Sequence, residues 1–254
     1  MLPHRAVLCG LFVVLTSDAF AQAPPPKEPP PLWDVQLGAS FVGTGGNSDT
    51  STLGADFSAH RRWPVWQLES TATAIRTSDR GTRTAERYLA ALRGDRKLTT
   101  RIAFSAGERL ERDRFAGIDF RSISDGGLKY ALVREPSWTV DGLTSIALNH
   151  ESRVVGPGFN HAVGILQGLS KVIFSPASDS TQRFTFYPDF QDSSAYRAEA
   201  ELTVQAAMNS RLALKAGYVW RYSNAPTLGF GKTDNTGTAS VVLRWKAAVP
   251  APAL

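Results

Sequence analysis

Apolar and polar residues alternate along most of this chain with a period of two, and this pattern restricts the fold more than any other feature. Between Tyr196 and Ala206 every second residue is apolar, and the residues between them are charged or polar. A helix would scatter the apolar side chains around its axis, whereas a strand collects them on one face. The segment is therefore predicted to be a β-strand with one apolar face.

The same alternation recurs from Trp33 to Trp245 and predicts about twelve strands, the least regular of which lie within 162–174 and 181–187. Many segments have about nine to eleven residues, the length that a tilted strand needs to cross a bilayer. Their apolar faces carry almost no charge, and their other faces carry many. Because charge is costly against lipid and tolerated in a lumen, the predicted fold class is all-β: a closed antiparallel transmembrane β-barrel.

The connections between these segments alternate in length, which is typical of outer-membrane barrels. An even number of strands then puts both termini on the side of the short turns. We expect short periplasmic turns and longer extracellular loops. The short turns are predicted at 61–64, 94–98, 134–137, 175–180 and 207–210, and the long loops near 43–50, 77–86, 108–118, 150–160, 188–195 and 223–235.

Aromatic residues gather at the ends of the predicted strands. At the short-turn ends lie Trp33, Trp63, Trp66, Trp138 and Trp245; at the opposite ends lie Phe41, Tyr88, Phe120, Tyr196, Trp220 and Tyr222. Two aromatic belts around an Ala, Leu and Val band indicate membrane interfaces, where amphipathic rings are favoured.

The first residues have the three parts of a secretory signal peptide: Arg5, an apolar run of eleven residues at 6–16, and an A-x-A site ending at Ala21. We predict a signal peptide at 1–21, a Pro-rich periplasmic stub at 22–32, the barrel at 33–246 and a short tail at 247–254. Cys9, the only cysteine, falls in the removed segment, so disulfide and zinc-finger frameworks are excluded on ligand count. The predicted location is the bacterial outer membrane.

The polar faces of the strands carry both signs of charge, in a chain with a formal net charge of +5. Basic residues spread along many strands do not form the stripe that nucleic-acid binding needs. A weakly anion-favouring narrow pore and a lumen plugged by salt bridges both remain open. The candidate lumen-lining residues are Arg87, Arg93, Arg101, Arg121, Glu199, Glu201, Arg221 and Arg244.

Two polar loops are predicted to meet where the first and last strands close the barrel. We expect Asn47 and Asp49 of the first hairpin to approach Asp234 and Asn235 of the last one. Oxygen ligands of this kind suit a cation or polar solute. The simpler interpretation is turn chemistry, because Asn, Asp and Gly tolerate tight loops.

The segment Glu111–Phe115 (ERDRF) alternates in charge and is predicted to lie in an extracellular loop. Arg112 and Arg114 could bind lipopolysaccharide phosphates, with Asp113 between them. The alternative is a solvated loop whose salt bridges contribute little.

Several of these motifs together resemble a family of uncharacterised bacterial proteins called salt-induced outer membrane proteins. They are Gly46-Asn47-Ser48, Glu111–Arg121 (ERDRFAGIDFR), Arg121–Tyr130 and Lys232-Thr233-Asp234. The resemblance covers nearly the whole predicted barrel. It implies an outer-membrane barrel and no established reaction, so it gives no catalytic residues.

The predicted role is non-enzymatic and needs no cofactor: a narrow solute or ion pathway, or an envelope-maintenance protein. The expected partners are outer-membrane lipid and lipopolysaccharide, small solutes or ions, and the barrel-assembly machinery, which would bind the strand ending at Trp245. One alternative is a plugged barrel that binds lipopolysaccharide through its loops. Another is a lipid-modifying hydrolase that uses His60, His150 or His161, although the chain has no Gly-x-Ser-x-Gly motif. A lipocalin-type barrel has eight strands and an apolar interior, which argues against that class.

Overall fold

A computed structural model describes residues 32–43 and 50–247 of the chain. The predicted signal peptide, nearly all of the Pro-rich stub and residues 248–254 of the tail lie outside the described residues. The strands are β1 (Trp33–Gly43), β2 (Thr50–Arg62), β3 (Trp66–Asp79), β4 (Thr82–Lys97), β5 (Ile102–Asp113), β6 (Ile118–Arg134), β7 (Trp138–Arg153), β8 (Phe159–Ser175), β9 (Ser178–Tyr187), β10 (Arg197–Ala207), β11 (Leu212–Ser223) and β12 (Thr233–Ala247).

The twelve strands form one closed antiparallel barrel in which each strand pairs with its neighbours in the sequence. Pairing of β1 with β12, from Trp33 opposite Ala247 to Ala39 opposite Val241, closes the sheet. Closure leaves no strand edge unpaired, so the backbone hydrogen bonds are satisfied within the barrel. The predicted fold class is confirmed, including the two least regular strands, β8 and β9.

The outward face of the barrel is apolar and accessible. On β7, Ile146 and Leu148 are 67% and 69% exposed, and the residues between and beside them are buried. An apolar surface that encircles a protein is expected where it faces lipid. All five tryptophans of the predicted short-turn belt are exposed, and the Arg61 guanidinium lies 4.3 Å from the Trp33 ring and 4.7 Å from the Trp63 ring.

The described part of the chain contains a single short 3-10 helix, Arg114–Ala116. No helix among the described residues is long and apolar enough to span a membrane.

The connections follow the predicted alternation with two corrections. The loop predicted at 77–86 is a hairpin whose turn consists of Arg80 and Gly81, both with positive φ, as tight hairpin turns require. The loop predicted at 108–118 is largely strand, because β5 continues to Asp113. In both places the sequence interpretation ended the strand at its first charged residues. The structure continues the strand, because every second residue faces the lumen, where charged side chains are tolerated.

Two opposite walls of the barrel interior differ in their packing. The packed wall comprises the inward faces of β6–β9, where Ile123, Leu143, Ala147, Val163, Ile165 and Tyr187 form one buried cluster. The polar wall comprises the inward faces of β1–β3, where most side chains are polar and half-buried, including Thr52, Asp56, Ser58, Glu69, Thr71 and Thr73. A closed barrel exposes an inward side chain to solvent only through the lumen, so the polar wall borders solvent.

Candidate functional site

A cluster of ionised side chains occupies the lumen between these two walls. At its centre lies Glu111 of β5, a position at which the alternation of that strand points the side chain inward. The Glu111 carboxylate lies 2.9 Å from Arg87 Nη2, 3.2 Å from Arg121 Nη1 and 3.5 Å from Arg221 Nη1. Three guanidinium groups around one buried carboxylate supply the charge-assisted hydrogen bonds that burial of the charges requires.

Two ion pairs of this cluster cross the lumen. Arg109 of β5 reaches Glu199 of β10 at 3.0 Å, and Arg221 of β11 reaches Asp113 of β5 at 3.1 Å. Strands β5 and β10 are five positions apart in a ring of twelve, so these side chains span the barrel from one side to the other. The lumen is bridged by side chains at this level.

The bridge separates two small cavities. The mouth-side chamber, toward the long-loop end, has a volume of about 90 Å³; the chamber toward the short-turn end has a volume of about 100 Å³. Arg109, Ile123 and Tyr187 line both chambers and form the septum between them.

Most of the predicted lumen-lining residues take part in ion pairs inside the barrel. Besides Arg87, Arg121, Glu199 and Arg221, Arg93 forms two hydrogen bonds with the Asp125 carboxylate, at 2.6 and 3.0 Å, and Glu201 lies 3.3 Å from Arg183. Glu151, which the sequence interpretation left out, lies 2.6 Å from Arg121.

Two of the predicted lumen-lining residues lie elsewhere or stay unpaired. Arg101 precedes β5 in the turn at 98–101 and is exposed, so its assignment to the lumen wall was wrong. Arg244 does face inward, beside Gln36 in the register of β1 and β12, and forms no ion pair with the described residues.

The ERDRF segment is divided between the two faces of β5 and the turn that follows. Asp113 points into the lumen and is 6% exposed, so its predicted place in a solvated loop was wrong. Arg112 and Arg114 remain exposed, and each lies 3.5 Å from the Asp119 carboxylate. Strand alternation puts Arg112 and Asp113 on opposite faces of β5, and Arg114 lies in the 3-10 helix that follows.

The predicted site at the barrel seam does not form as a cluster of four side chains. Asp234 and Asn235 are adjacent in β12 and therefore point to opposite faces. Asp234 lines the mouth-side chamber, whereas Asn235 accepts a hydrogen bond from the outward Tyr218 hydroxyl at 2.8 Å. Asn47 and Asp49 lie outside the described residues.

A histidine and a carboxylate meet at the long-loop end of the packed wall. His161 Nδ1 lies 2.6 Å from Asp189 Oδ2 in the loop after β9. Burial acts to raise the pKa of Asp189, but hydrogen bonds from His161 and from the backbone N–H groups of Gln191 and Asp192 outweigh it and hold that pKa below its ordinary value. Among the described residues, no hydroxyl hydrogen-bonds to His161 or His150, and no group of three or more His, Cys, Asp or Glu could hold a metal ion.

The features that sequence reasoning missed are the role of Glu111 and the packed wall. Continued alternation from Ser105 through Gly107 and Arg109 would have placed Glu111 and Asp113 inside. Likewise, Ile123, Val163 and Ile165 occupy inward positions of their strands and could have been recognised as apolar exceptions on the polar faces.

An apolar exterior, twelve strands in a closed ring and an ionised interior define the class of outer-membrane β-barrels. Residues 35–245 match the model of a protein family described as "Protein of unknown function, DUF481", and the chain belongs to that family. The comparison with curated proteins found no match.

Several solved outer-membrane proteins are similar to this chain at low sequence identity. The NanC porin is 12% identical, with 85% of this chain and 100% of that chain covered and a TM-score of 0.46. The KdgM porin in complex with disordered oligogalacturonate is 10% identical, with 84% and 98% covered and a TM-score of 0.40. The outer-membrane expressed OmpT of Vibrio cholerae is 8% identical, with 84% and 97% covered and a TM-score of 0.42.

Proposed function

We propose that this protein is a narrow outer-membrane pathway for water, ions and small polar solutes, which move along the polar wall. One observation carries the proposal. Inward side chains of β2 and β3 keep part of their surface accessible from His60 and Glu69 at the short-turn end to Thr52 and Thr77 at the long-loop end. These residues extend over the height of the barrel, as a continuous passage requires.

The remainder of the lumen supports a narrow passage rather than a wide one. The packed wall fills one side with apolar side chains, and the bridge from Arg109 to Glu199 crosses the middle. The arginines on which an anion preference was expected are largely neutralised by carboxylates. The passage itself borders Asp56, which pairs with Lys215 at 2.7 Å, so we expect little preference between anions and cations.

The cellular context belongs to the same proposal. A signal peptide cleaved after Ala21 would export the chain, and recognition of the last strand by the assembly machinery would insert it into the outer membrane. The proposed role needs no catalytic step, and within the described residues His150 contacts Asn160 and His161 contacts Asp189, neither of which carries a hydroxyl.

Single-channel recording in a planar bilayer tests the pathway directly. The full-length gene is expressed in a bacterium, and the protein is extracted from its membranes in detergent and shown to be folded by heat-modifiable gel mobility. We expect small, discrete conductance steps. Replacing Thr73 on the polar wall by Trp should reduce the step size severalfold, because the added ring enters the passage.

The matched control is Ala72→Trp, which adds the same ring to the outward face of the same strand. It should leave the step size unchanged. Silence from folded wild-type protein would contradict the proposal and favour a plugged barrel, and equal steps from Thr73→Trp and wild type would exclude a passage along the polar wall.

A further inference from the structure

Arg197 of β10 is a half-buried cation that forms no ion pair with the described residues. It faces the mouth-side chamber, and its guanidinium carbon lies 5.0 Å from the centre of the Tyr187 ring. Its Nη2 atom is buried and has no hydrogen-bond partner among the described residues. Stacking on a tyrosine ring offsets only part of the cost of burying a guanidinium.

The other arginines of this chamber differ from Arg197 in having anionic partners. Arg109 pairs with Glu199, Arg121 and Arg153 share Glu151, and Arg221 pairs with Asp113. No carboxylate oxygen of the described residues lies within 4.0 Å of Arg197. Glu151 and Glu111 act on Arg197 at longer range, and among the arginines that line the chamber only Arg197 has no carboxylate contact within the described residues.

Further donors on the chamber lining are also unused. The Nε atoms of Arg109 and Arg221 are buried and have no hydrogen-bond partners among the described residues, although other nitrogens of both groups form ion pairs. Asn149, 2% exposed, also lines the chamber, and its side-chain oxygen is an acceptor with no hydrogen-bond partner among the described residues. Guanidinium N–H groups that are desolvated and unpaired are strong donors to an oxyanion.

We propose that the mouth-side chamber is a binding site for a small free oxyanion, such as inorganic phosphate or the carboxylate of a small acid. Arg197 is the residue that contributes most to binding the anion. The chamber volume of about 90 Å³ admits a group of that size. The site lies inside the barrel wall, so an ion reaches it from the lumen and not from the bilayer. The proposal of an anion site is independent of the proposed conduction pathway.

Titration of the detergent-solubilised full protein with inorganic phosphate, followed by isothermal calorimetry at constant ionic strength, tests the site. We expect saturable binding to one site. Arg197→Met keeps the length of the side chain and removes its charge, and it should weaken phosphate binding at least about tenfold, because charge-assisted hydrogen bonds are the strong ones. Arg112→Met, which removes an exposed outward arginine, should bind phosphate as wild type does.

A second variant keeps the test decisive if Arg197→Met fails to fold. Asn149→Asp preserves volume and puts a carboxylate on the same chamber, where it should compensate Arg197 and also weaken phosphate binding at least about tenfold. Absence of saturable binding to wild type would overturn the proposal. Equal affinity in wild type and in either chamber variant would overturn it as well, since binding would then be at another place.

Discussion

The polar wall and the packed wall are built from strands of the same kind, yet one borders solvent and the other is a solid core. On β3 the inward residues Thr71 and Thr73 are half-buried, whereas on β7 the inward Leu143 and Ala147 are 5% and 2% exposed. The backbone of a twelve-stranded barrel encloses more space than an eight-stranded one. Side-chain volume on one wall, and not strand number alone, therefore sets the width of the lumen.

The charged cluster between the walls should give the largest effect on stability. Glu111→Gln leaves three arginines without their shared carboxylate, and removal of one partner from a buried ion-pair network costs about 3–5 kcal/mol. Urea unfolding of the detergent-solubilised barrel measures the change. Asp119→Asn is the control, because its pairs with Arg112 and Arg114 are exposed and contribute at most about 1 kcal/mol. Equal effects would mean that the interior is hydrated throughout.

The contrast between the walls predicts the next largest difference. Leu143→Ala should lower the free energy of unfolding by about 2–5 kcal/mol, because it opens a cavity in a buried apolar cluster. Thr73→Ala on the polar wall should change it by less than about 0.5 kcal/mol, since its side chain already borders solvent. Similar values for the two variants, measured by the same urea unfolding, would refute the distinction between the walls.

Two glycines with positive φ in the loops at the long-loop end of the barrel allow a matched comparison. Gly117, with φ +79°, supports the loop after β11: Thr227 donates a hydrogen bond to its carbonyl oxygen at 3.1 Å, and a Cβ at Gly117 would lie 2.5 Å from Thr227 Cβ. Gly229, with φ +87°, has open space in that direction. Alanine at either position carries the backbone cost of positive φ, but Gly117→Ala should be about 1–3 kcal/mol worse, because the loop must move. Equal unfolding midpoints would show that the loop does not rest on Gly117.

The loop after β9 should contribute the smallest and most pH-dependent effect. The pKa of Asp189 lies below its ordinary value of 3.8, so the ionised carboxylate stabilises the folded loop above that pH, and this contribution is lost as the pH falls through the lowered pKa. Asp189→Asn should cost about 1 kcal/mol near neutral pH and nothing in strong acid. Unfolding of both proteins from about pH 6 to about pH 1 measures the convergence, and parallel curves would contradict it.

Much of the fold could be predicted from periodicity, because an antiparallel strand shows its two faces in the order of its residues. The alternation at Tyr196–Ala206 predicted β10, and the tryptophans marked the short-turn belt. The prediction failed at Glu111–Phe115, where a charged segment was assigned to a loop. A run of charged residues normally marks the end of a strand. Here β5 continues through the charged segment because its inward carboxylates pair with arginines inside the lumen.

The seam hypothesis failed for a related reason. Asp234 and Asn235 were treated as neighbours in a loop, and their place in β12 sends them to opposite faces. Conversely, Arg87, Arg93, Arg121 and Glu199 lie inside the barrel as the alternation predicted. The odd or even position of a residue in a strand predicts which face its side chain is on. This prediction is reliable wherever the bounds of the strand are correct.

The sequence by itself predicted about twelve strands, their antiparallel order and the inward or outward face of most strand residues, because these follow from local alternation and from the lengths of connections. The tertiary structure alone decided which inward residues meet. Arg109 and Glu199 are 90 positions apart and come within 3.0 Å of each other only because closure of the ring places β5 opposite β10. The same closure leaves Arg197 without a carboxylate and the polar wall open to solvent, since distances across a lumen depend on the curvature of the whole sheet and on no single strand.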